Sequence, residues 1–462
     1  MEQTTAKKNK YEIDMCNGTI MDKLISFSLP LMLSGILQLM FNAVDIIVVG
    51  RFSGSQALAA VGSTSALINV FTNLFIGISL GANVLTARFY AAGREKEVSE
   101  TVHTAVTLAL VSGIIMALVG LVFSKGALAL MGTPDDVIGL SALYMRIYFL
   151  GMPFFMLYNY GAAILRAVGD TKRPLLFLMI AGVINACLNM VLVIVFKLGV
   201  AGVAIATVIS QMISCVLVLR CLCRSESSYR LRFSELGMKG YYLKQIFSVG
   251  VPAGIQSTVI NFSNVLLQSS VNSFGSTAMA GYTAANNLLG FLYVSVNSIT
   301  QACMSFTSQN YGVGKLKRMD RVLADCMILS VVVAVALGCI CYGFGPEILQ
   351  IYTEDAEVIA CGMEILAYTT ITYFLCGWMD LFPGALRGMG YSAVPMVLSV
   401  IGTVGTRVVW IFGIFPYHRS LVILFISYPA SWIITIVLQV ICFYFVRRRV
   451  HRRSQALAGQ EA

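Results

Sequence analysis

The sequence predicts an all-α polytopic membrane protein with twelve transmembrane helices, arranged as two parallel repeats of six. Of its 462 residues, 58% are hydrophobic and only 12% are charged, and the mean hydropathy is +0.81. A soluble domain of this size needs far more polar surface. The apolar residues fall in blocks of about 20 or more, the length that a helix needs to cross a bilayer. The third observation is that the two halves of the chain resemble each other.

The apolar blocks predict the positions of the twelve spans. Each block is long enough for a helix of about 1.5 Å rise per residue to cross the hydrocarbon layer. In the first half they lie near 24–49, 57–83, 100–124, 137–163, 174–196 and 199–222. In the second half they lie near 246–273, 279–306, 322–345, 358–384, 394–416 and 421–446.

The distribution of charge predicts the orientation. The net charge is +10, and the basic residues cluster in alternate loops and at both chain ends, as in RRRVHRR at 447–453. Because cytoplasmic loops carry an excess of Lys and Arg, both termini and the long 223–245 linker are expected in the cytoplasm. This bias is typical of a membrane protein and does not indicate nucleic-acid binding. The twelve cysteines are scattered, without the spacing of a zinc or redox site.

The two halves align at a nearly constant offset. Pro30 in FSLP recurs as Pro252 in VGVP, and LRAVGDTKRP (165–174) recurs as LRGMGYSAVP (386–395) at almost the same shift along the chain. Because each half has six spans, both halves enter the membrane from the same side and form parallel repeats, with a substrate site expected between them. The sequence therefore predicts five parts of the chain: an N-terminal segment 1–22, a first lobe 23–222, a linker 223–245, a second lobe 246–446 and a basic tail 447–462. A duplication that serves only as a scaffold is the alternative to transport.

These motifs resemble the multidrug and toxic compound extrusion (MATE) family over nearly the whole chain, from about residue 20 to 446. The resemblance rests on the duplicated LRAVGD and LRGMG loops, the FSLP entry, VDIIVVGRFSG, and two asparagines four apart before GVAGVAIAT. It implies an exporter of organic, often cationic, amphiphiles that is driven by an inward Na⁺ or H⁺ gradient. It also implies two six-helix lobes that enclose a cavity and alternate between inward-open and outward-open states. The protein is expected to be a monomer in the cell membrane, without an enzymatic activity or a bound cofactor.

Asp45 is the first candidate site residue, since it lies within an apolar run from Leu24 to Gly50. An aspartate at the centre of a membrane helix costs roughly 2.5–3.5 kcal/mol on insertion scales, so a carboxylate there is by default a functional hypothesis. It can load and release a proton or supply the charge for a Na⁺ ion. The alternative is a residue near the outer end of the span that reaches water beside Arg51.

The resemblance places a cation-binding network at Asp45, Asn185, Asn189 and Thr207, with possible Na⁺ binding at the first three. One family pattern has an aspartate at the position of Asn189, so this chain has one carboxylate where that pattern has two. An asparagine can ligate Na⁺ but cannot titrate, which favours H⁺ slightly. The asparagines could also serve as hydrogen-bonding contacts between helices.

The second half offers weaker candidates. Some branches of the family have acidic residues in the seventh and tenth spans, but the seventh span here has amides such as Gln256 and Asn261 and no acid. Asp380, in the tenth span, could line the cavity or cap a helix end. Arg407, like Gln256 and Asn261, could line the cavity or take part in coupling, and its structural alternative is an ion pair with a carboxylate across helices. Asn42, one turn before Asp45, is a further residue that could line the cavity.

Other function classes fit less well. An ATP-driven pump needs a phosphate-binding G-x-x-x-x-G-K-[ST] loop, which the sequence lacks. An enzyme needs a nucleophile or metal constellation, and His103, His418 and His451 are far apart. The closest rival is a flippase for lipid-linked saccharides in the same superfamily, which would need several cations for a pyrophosphate. A channel is the remaining alternative.

Overall fold

A computed structural model describes residues 11–458, a range that is helical throughout apart from its connections. Each predicted span falls on one long helical segment. The fourth and tenth of these segments are bent, by 47° and 51° respectively, at short breaks. The segments are α1 (Met21–Gly54), α2 (Gln56–Ala91), α3 (Glu95–Leu130), α4 (Asp135–Leu150 with Met152–Ala167), α5 (Lys172–Val195), α6 (Gly199–Cys223), α7 (Gly240–Asn272), α8 (Ser276–Gly312), α9 (Leu316–Gly343), α10 (Ala356–Thr369 with Tyr373–Gly388), α11 (Ala393–Ile414) and α12 (Leu421–Ala458). The predictions for residues 1–10 and 459–462 lie outside the described residues.

The helices differ in how apolar they are. Within the described range, eight are long and apolar enough to cross a membrane, or ten when each bent helix counts as one span. The other two long segments, α7 and α8, reach the length but carry many Ser, Thr, Asn and Gln residues. Many of these side chains in α8 are buried, for example Ser295, Thr307 and Asn310. Polar groups in membrane helices belong on faces that contact protein or water.

The chain divides into two compact units, and the boundaries between them fall inside the helices α1 and α7. The first unit comprises residues up to Ile13 and Leu33–Gly254, and the second comprises Asp14–Met32 and the residues from Ile255 onward. The start of α1 thus belongs to the second unit, and the start of α7 belongs to the first. The lobe limits predicted from the sequence, 23–222 and 246–446, follow helix ends instead and stay predictions.

In the first unit, α2 and α7 approach closely through paired glycines. A Cβ at Gly77 would lie 2.3 Å from Gly254 Cα, and one at Gly81 would lie 2.2 Å from the Ile246 carbonyl oxygen. A Cβ at Gly250 would similarly lie 2.5 Å from Ile78 Cα. The sequence GISLG in α2 therefore packs on GVPAG in α7, a reciprocal small-xxx-small contact of the kind that lets membrane helices touch through their backbones.

The segment between α6 and α7 packs on α3 in the first unit. The His103 Nε2 atom accepts a hydrogen bond from the Arg232 backbone N–H at 3.0 Å, while His103 Nδ1 lies 2.6 Å from the Ser99 carbonyl oxygen. Arg232 also donates to Glu235 Oε1 at 2.8 Å, and this hydrogen bond lowers the pKa of Glu235. Most of the predicted 223–245 linker is therefore an ordered connection that runs from Arg224 to Lys239.

The second unit has its own apolar core between α8, α10 and α12. Its largest side chains include Phe425, Trp432 and Tyr373, and the Tyr373 and Trp432 rings meet edge to face at 5.6 Å between centroids. The segment Asp14–Met32 also belongs to the second unit. Asn310 Nδ2 donates a hydrogen bond to the Met15 carbonyl oxygen at 3.1 Å, and Arg318 donates to the same oxygen at 3.2 Å.

The repeat is visible in the backbone of the loops. Gly169 and Gly390 have φ values of 95° and 91°, and Gly93 and Gly314 have φ values of 68° and 72°. The two members of each pair occupy matching positions in the two halves of the sequence, at one common offset. Because L-residues with a side chain rarely adopt such angles, glycine is required at these matched turns. Asp170 directly follows the turn at Gly169. Burial raises the pKa of Asp170, although its ion pair with Arg173 lowers that pKa.

Candidate cation-binding site

Asp45 in α1 is held by neutral polar side chains of α5 and α6. Asn189 Nδ2 donates to Asp45 Oδ1, and Thr207 Oγ1 lies 3.5 Å from Asp45 Oδ2. The Asp45 side chain is half-buried, whereas Asn189 is fully buried. The three helices belong to the first unit at these positions, so the network lies within one compact body.

Asn185 extends this network along α5. Its Oδ1 accepts a hydrogen bond from Asn189 Nδ2 at 3.2 Å, and its Nδ2 lies 3.4 Å from Thr207 Oγ1. Residues four apart share one face of a helix, which is why both amides reach the same carboxylate region. Thr207 Oγ1 also contacts the Val203 carbonyl oxygen at 2.9 Å.

The end of α5 has irregular geometry beside this network. The regular α-helical part ends at Asn189, and Met190–Val195 is a π-helix. Such π segments are rare and frequently occur at functional sites, because the extra residue reorients side chains and loosens the backbone ladder. Lys197 in the following connection and Gly199 at the start of α6 both have positive φ.

The charge state of the site is set by one carboxylate. No lysine or arginine forms a salt bridge with Asp45 within the described residues, and Arg51 is exposed. The Oδ1 atom of Asn189 is buried and has no hydrogen-bond partner. An orphaned buried oxygen is costly unless a proton donor or a cation reaches it. The site therefore holds one negative charge and one unused neutral oxygen.

Two tyrosines of α4 that the sequence argument did not name lie near the carboxylate. The phenols of Tyr144 and Tyr148 both interact electrostatically with Asp45. Their rings stack with centroids 6.2 Å apart. Their spacing of four residues, on either side of Arg146, was the available signal, but aromatic pairs with this spacing are also common in plain helix packing.

In the second unit, Gln256 and Arg387 form a buried polar pair. Arg387 Nη2 donates to Gln256 Oε1 at 2.6 Å, and Asp380 interacts electrostatically with the same guanidinium. Asp380 makes no hydrogen bond and no salt bridge within 4.0 Å among the described side chains. The structure thus groups Asp380 with Gln256 through Arg387, which was not among the candidate residues predicted from the sequence.

The surroundings of Arg407 differ from the ion pair with a carboxylate that was considered from the sequence. Arg407 is 3% exposed, and no carboxylate forms a salt bridge with it in the part of the chain that is described. Its Nη1 donates to Ser263 Oγ at 2.8 Å and to Asn264 Oδ1 at 2.7 Å, and its Cζ lies 4.8 Å from the Tyr428 ring centroid. The alternative of a carboxylate partner is wrong, because hydroxyl, amide and aromatic groups surround this guanidinium.

The remaining two candidates are not brought into either cluster. Asn42 and Asn261 are both exposed, and neither makes a hydrogen bond to another described residue. Among the described residues, no group of three or more His, Cys, Asp or Glu side chains could hold a metal ion. A Na⁺ ion at this site would therefore depend on Asp45 and neutral oxygens.

These features define the class of protein: a multi-pass helical membrane protein with duplicated halves and a single carboxylate in a neutral polar network. The MatE family model matches the chain twice, over residues 30–191 and 252–412, and the chain belongs to this family. The two matches begin at the paired prolines, Pro30 and Pro252, in agreement with the internal repeat. The family prediction is confirmed, and the chain is a transporter rather than an enzyme.

Similar proteins cover nearly the whole chain. A probable multidrug resistance protein of Bacillus subtilis, YoeA, is 31% identical over 433 residues, which are 92% of this chain and 93% of that protein. The probable multidrug resistance protein NorM of Thermotoga maritima is 26% identical over 87% of each chain. The multidrug export protein MepA of Staphylococcus aureus is 22% identical, over 82% of this chain and 84% of that protein.

Solved structures share the fold. One is a MATE protein in the bent conformation, with a TM-score of 0.85 and 19% identity over 96% of this chain and 98% of that one. Another is an outward-facing multidrug resistance transporter of the MATE family, with a TM-score of 0.87 and 20% identity over 97% and 99%. The prediction of an all-α polytopic fold is confirmed.

Proposed function

We propose that the chain is a multidrug efflux transporter that exports organic cations in exchange for H⁺ or Na⁺, with Asp45 as the coupling carboxylate. One observation carries this proposal: Asn189 and Thr207 hold Asp45 with neutral donors, and no basic side chain among the described residues neutralises it. A carboxylate locked to an arginine could not exchange its counterion easily. The names of the similar proteins support export of several compounds.

The network can serve both protonation states of Asp45. When the carboxylate is ionised, the Asn189 amide and the Thr207 hydroxyl donate to its two oxygens. When it is protonated, its O–H needs an acceptor, and the unused Oδ1 of Asn189 provides one after a flip of the amide. Loading and release of a proton would then reverse the hydrogen bonds between α1 and α5.

The same atoms suit Na⁺ as the alternative coupling ion. Several oxygens lie in the network: two of Asp45, one each of Asn185 and Asn189, the Thr207 hydroxyl and the Val203 carbonyl. Transporters of other folds also coordinate Na⁺ beside interrupted helices, and α5 is irregular directly after Asn189. One carboxylate is enough to neutralise one such ion.

The membrane potential contributes energy to efflux only when the exchange carries net positive charge inward. Moving one elementary charge through 100 mV releases about 2.3 kcal/mol. Exchange of one monovalent cation for one coupling ion moves no net charge, so this energy is gained only when one more coupling ion enters than cationic charges leave, and it then corresponds to roughly a fiftyfold concentration ratio of the cargo. A chemical gradient of the coupling ion adds to it.

The proposed orientation has both termini in the cytoplasm. The basic loops between α2 and α3, between α8 and α9, and at the end of α12 support it, since positive loops stay inside. The protein would then act in the cell membrane, and its cargo would leave the cytoplasm.

Efflux by the purified protein in proteoliposomes tests the proposal. A fluorescent organic cation is loaded, and H⁺ and Na⁺ gradients are imposed separately at zero membrane potential. Efflux that accelerates with one gradient and stops when an ionophore collapses that gradient is expected. Equal efflux without either gradient would point to a channel, and movement of a lipid-linked saccharide without cation efflux would point to the flippase.

A further inference from the structure

We propose that the second unit contains a carboxylate-binding site in which the Nε and Nη2 edge of Arg407, stacked on Tyr428, takes the carboxylate of an organic acid or zwitterionic amphiphile. The site is distinct from Asp45, which lies in the first unit. Its ligand class differs from the organic cations proposed above.

The guanidinium of Arg407 has one anchored corner and one unused edge. Both of its hydrogen bonds leave from Nη1, to Ser263 Oγ and Asn264 Oδ1. Nε is buried without a hydrogen-bond partner, so the edge formed by Nε and Nη2 makes no hydrogen bond to the described residues. Two parallel N–H groups on such an edge match the two oxygens of a carboxylate.

The Tyr428 ring packs against the guanidinium and makes no hydrogen bond to its Nε and Nη2 edge. The Cζ atom of Arg407 lies 4.8 Å from the ring centroid, so the ring packs against the guanidinium. Tyr428 is fixed in turn by a hydroxyl contact of 2.7 Å with Tyr282 and by Trp432, whose ring centroid is 5.8 Å away. The aromatic groups therefore hold the cation and present an apolar surface to an organic ligand.

The charge of Arg407 has no compensation in the described structure. A buried guanidinium in a membrane protein is costly and is usually paired with an acid. Asp380, an acid of the same unit, interacts with Arg387, and Arg407 has no carboxylate within 4.0 Å among the described residues. Hydrogen bonds to Ser263 and Asn264 alone would need only a neutral donor such as glutamine. A visiting anion explains why the residue carries a full charge.

The Arg407 and Tyr428 pair of the second half lies at sequence positions that correspond, through the internal repeat, to the cation network of the first half. By the shift that relates Gly169 to Gly390, Tyr428 corresponds to Thr207 and Arg407 to Ala186, the neighbour of Asn185. By the shift that relates Pro30 to Pro252, which is one residue longer, Arg407 corresponds to Asn185 itself. The same shifts take Asp45 onto two adjacent leucines of α7, which are apolar. The duplicated framework thus carries a carboxylate with neutral partners in one half, and a guanidinium with neutral partners in the other.

The backbone around Arg407 is irregular in the same way as the backbone beside Asn189. Arg407 lies in a short α-helical piece, Thr406–Val409, between two π-helices, Val400–Gly405 and Trp410–Ile414. Such segments frequently mark functional sites. Because Nε is covered by protein, a ligand reaches this edge when the side chains around it move.

Binding of benzoate by the full-length protein in lipid nanodiscs tests the site. Benzamide is the neutral control ligand, since it keeps the ring and the shape but lacks the charge. Calorimetric titration is expected to show benzoate binding at least tenfold tighter than benzamide binding. Arg407→Gln should abolish that preference, and Arg407→Lys should weaken it about tenfold, because lysine lacks the fork.

Arg419→Gln is the matched control variant. Arg419 is exposed, contacts the Phe415 ring at 5.9 Å and donates to Ser273, so it is an arginine on an aromatic ring outside the site. The Arg419→Gln variant should bind benzoate with the affinity of the parent protein. If Arg407→Gln does not fold, two other variants decide: benzoate affinity should be about tenfold weaker in Arg407→Lys and severalfold weaker in Asn264→Ala. Equal binding of benzoate and benzamide by the parent, or unchanged benzoate binding in all Arg407 variants, overturns the proposal.

The use of this site in transport rests on the proposed function, and a second arm tests it separately. Rhodamine B carries a free carboxylate, and its ethyl ester does not. Arg407→Gln is expected to slow efflux of rhodamine B at least fivefold relative to its ester, and an unchanged ratio overturns the cargo role. Asp45→Asn should stop coupled efflux of both dyes and keep benzoate binding, so failure of the coupling proposal is distinguishable from failure of this site.

Discussion

The side-chain amide of Asn189 donates a hydrogen bond to Asp45 Oδ1, although 144 residues separate the two positions. The contact joins α1 to the point where α5 changes from an α-helix to a π-helix. A change in the charge of Asp45 therefore acts directly on an irregular helix end. In the proposed function, ion exchange at Asp45 would be coupled to a movement of α5 through this connection.

Replacement of Asp45 by asparagine is expected to abolish gradient-driven efflux and to leave the fold intact. Asparagine has nearly the same shape, but it cannot titrate or supply a negative charge. The measurement is ion-driven efflux of a fluorescent cation in proteoliposomes at matched protein content. Asp22→Asn, at the exposed start of α1, is the control and should keep the parent rate. Parent-like coupled efflux by Asp45→Asn would remove this residue from the coupling role.

Replacement of Asn189 by aspartate is expected to introduce sensitivity to Na⁺. The new carboxylate would lie beside Asp45, and two close carboxylates repel unless a proton or cation joins them. Efflux should therefore rise with added Na⁺ at constant pH more steeply than in the parent protein. The control is Asn189→Leu, which removes the amide without adding charge. A Na⁺ response identical to that of the parent would show that this position does not determine the ion.

Replacement of Thr207 by valine removes one hydrogen bond to Asp45 and keeps the side-chain shape. Removal of a hydrogen bond to a charged group costs about 1.5–3 kcal/mol at ideal geometry. The 3.5 Å contact is long, so the lower end applies. The concentration of coupling ion at half-maximal efflux should change by about tenfold at most, while the melting temperature changes little. Ser210→Ala, three residues further along α6 with a hydroxyl that donates to the Thr207 carbonyl oxygen, is the control.

Much of the fold follows from hydrophobic length and from the repeat. The twelve apolar blocks located the helices, because a helix that crosses lipid must be long and uncharged. The bend of α4 at Gly151 lies beside Pro153, so the sequence carries a helix-breaking signal there, whereas the bend of α10 near Thr370 has no such signal. The ends of the helices extend beyond the apolar blocks, since polar turns remain helical outside the hydrocarbon layer.

The site shows where sequence reasoning is limited. A single acid in an apolar run and two asparagines four apart indicated which helix faces are polar, and the structure brings Asp45, Asn185, Asn189 and Thr207 together. The partners of Arg407 were not predictable, because the spacing of residues along α11 carries no information about α7 and α12. Neutral partners such as Ser263 also give no charge signal in the sequence.

The close contact between α2 and α7 predicts a large difference between two glycine substitutions. At Gly81 even the Cβ of alanine would lie 2.2 Å from the Ile246 carbonyl oxygen, whereas at Gly62 a Cβ would meet no atom within 4 Å. Gly81→Ala must separate the two backbones, which costs about 1–3 kcal/mol as for other overpacked sites. Thermal unfolding in detergent should show a clearly lower melting temperature for Gly81→Ala and an unchanged or slightly higher one for Gly62→Ala. Equal melting temperatures would mean that α2 and α7 are further apart than their glycines indicate.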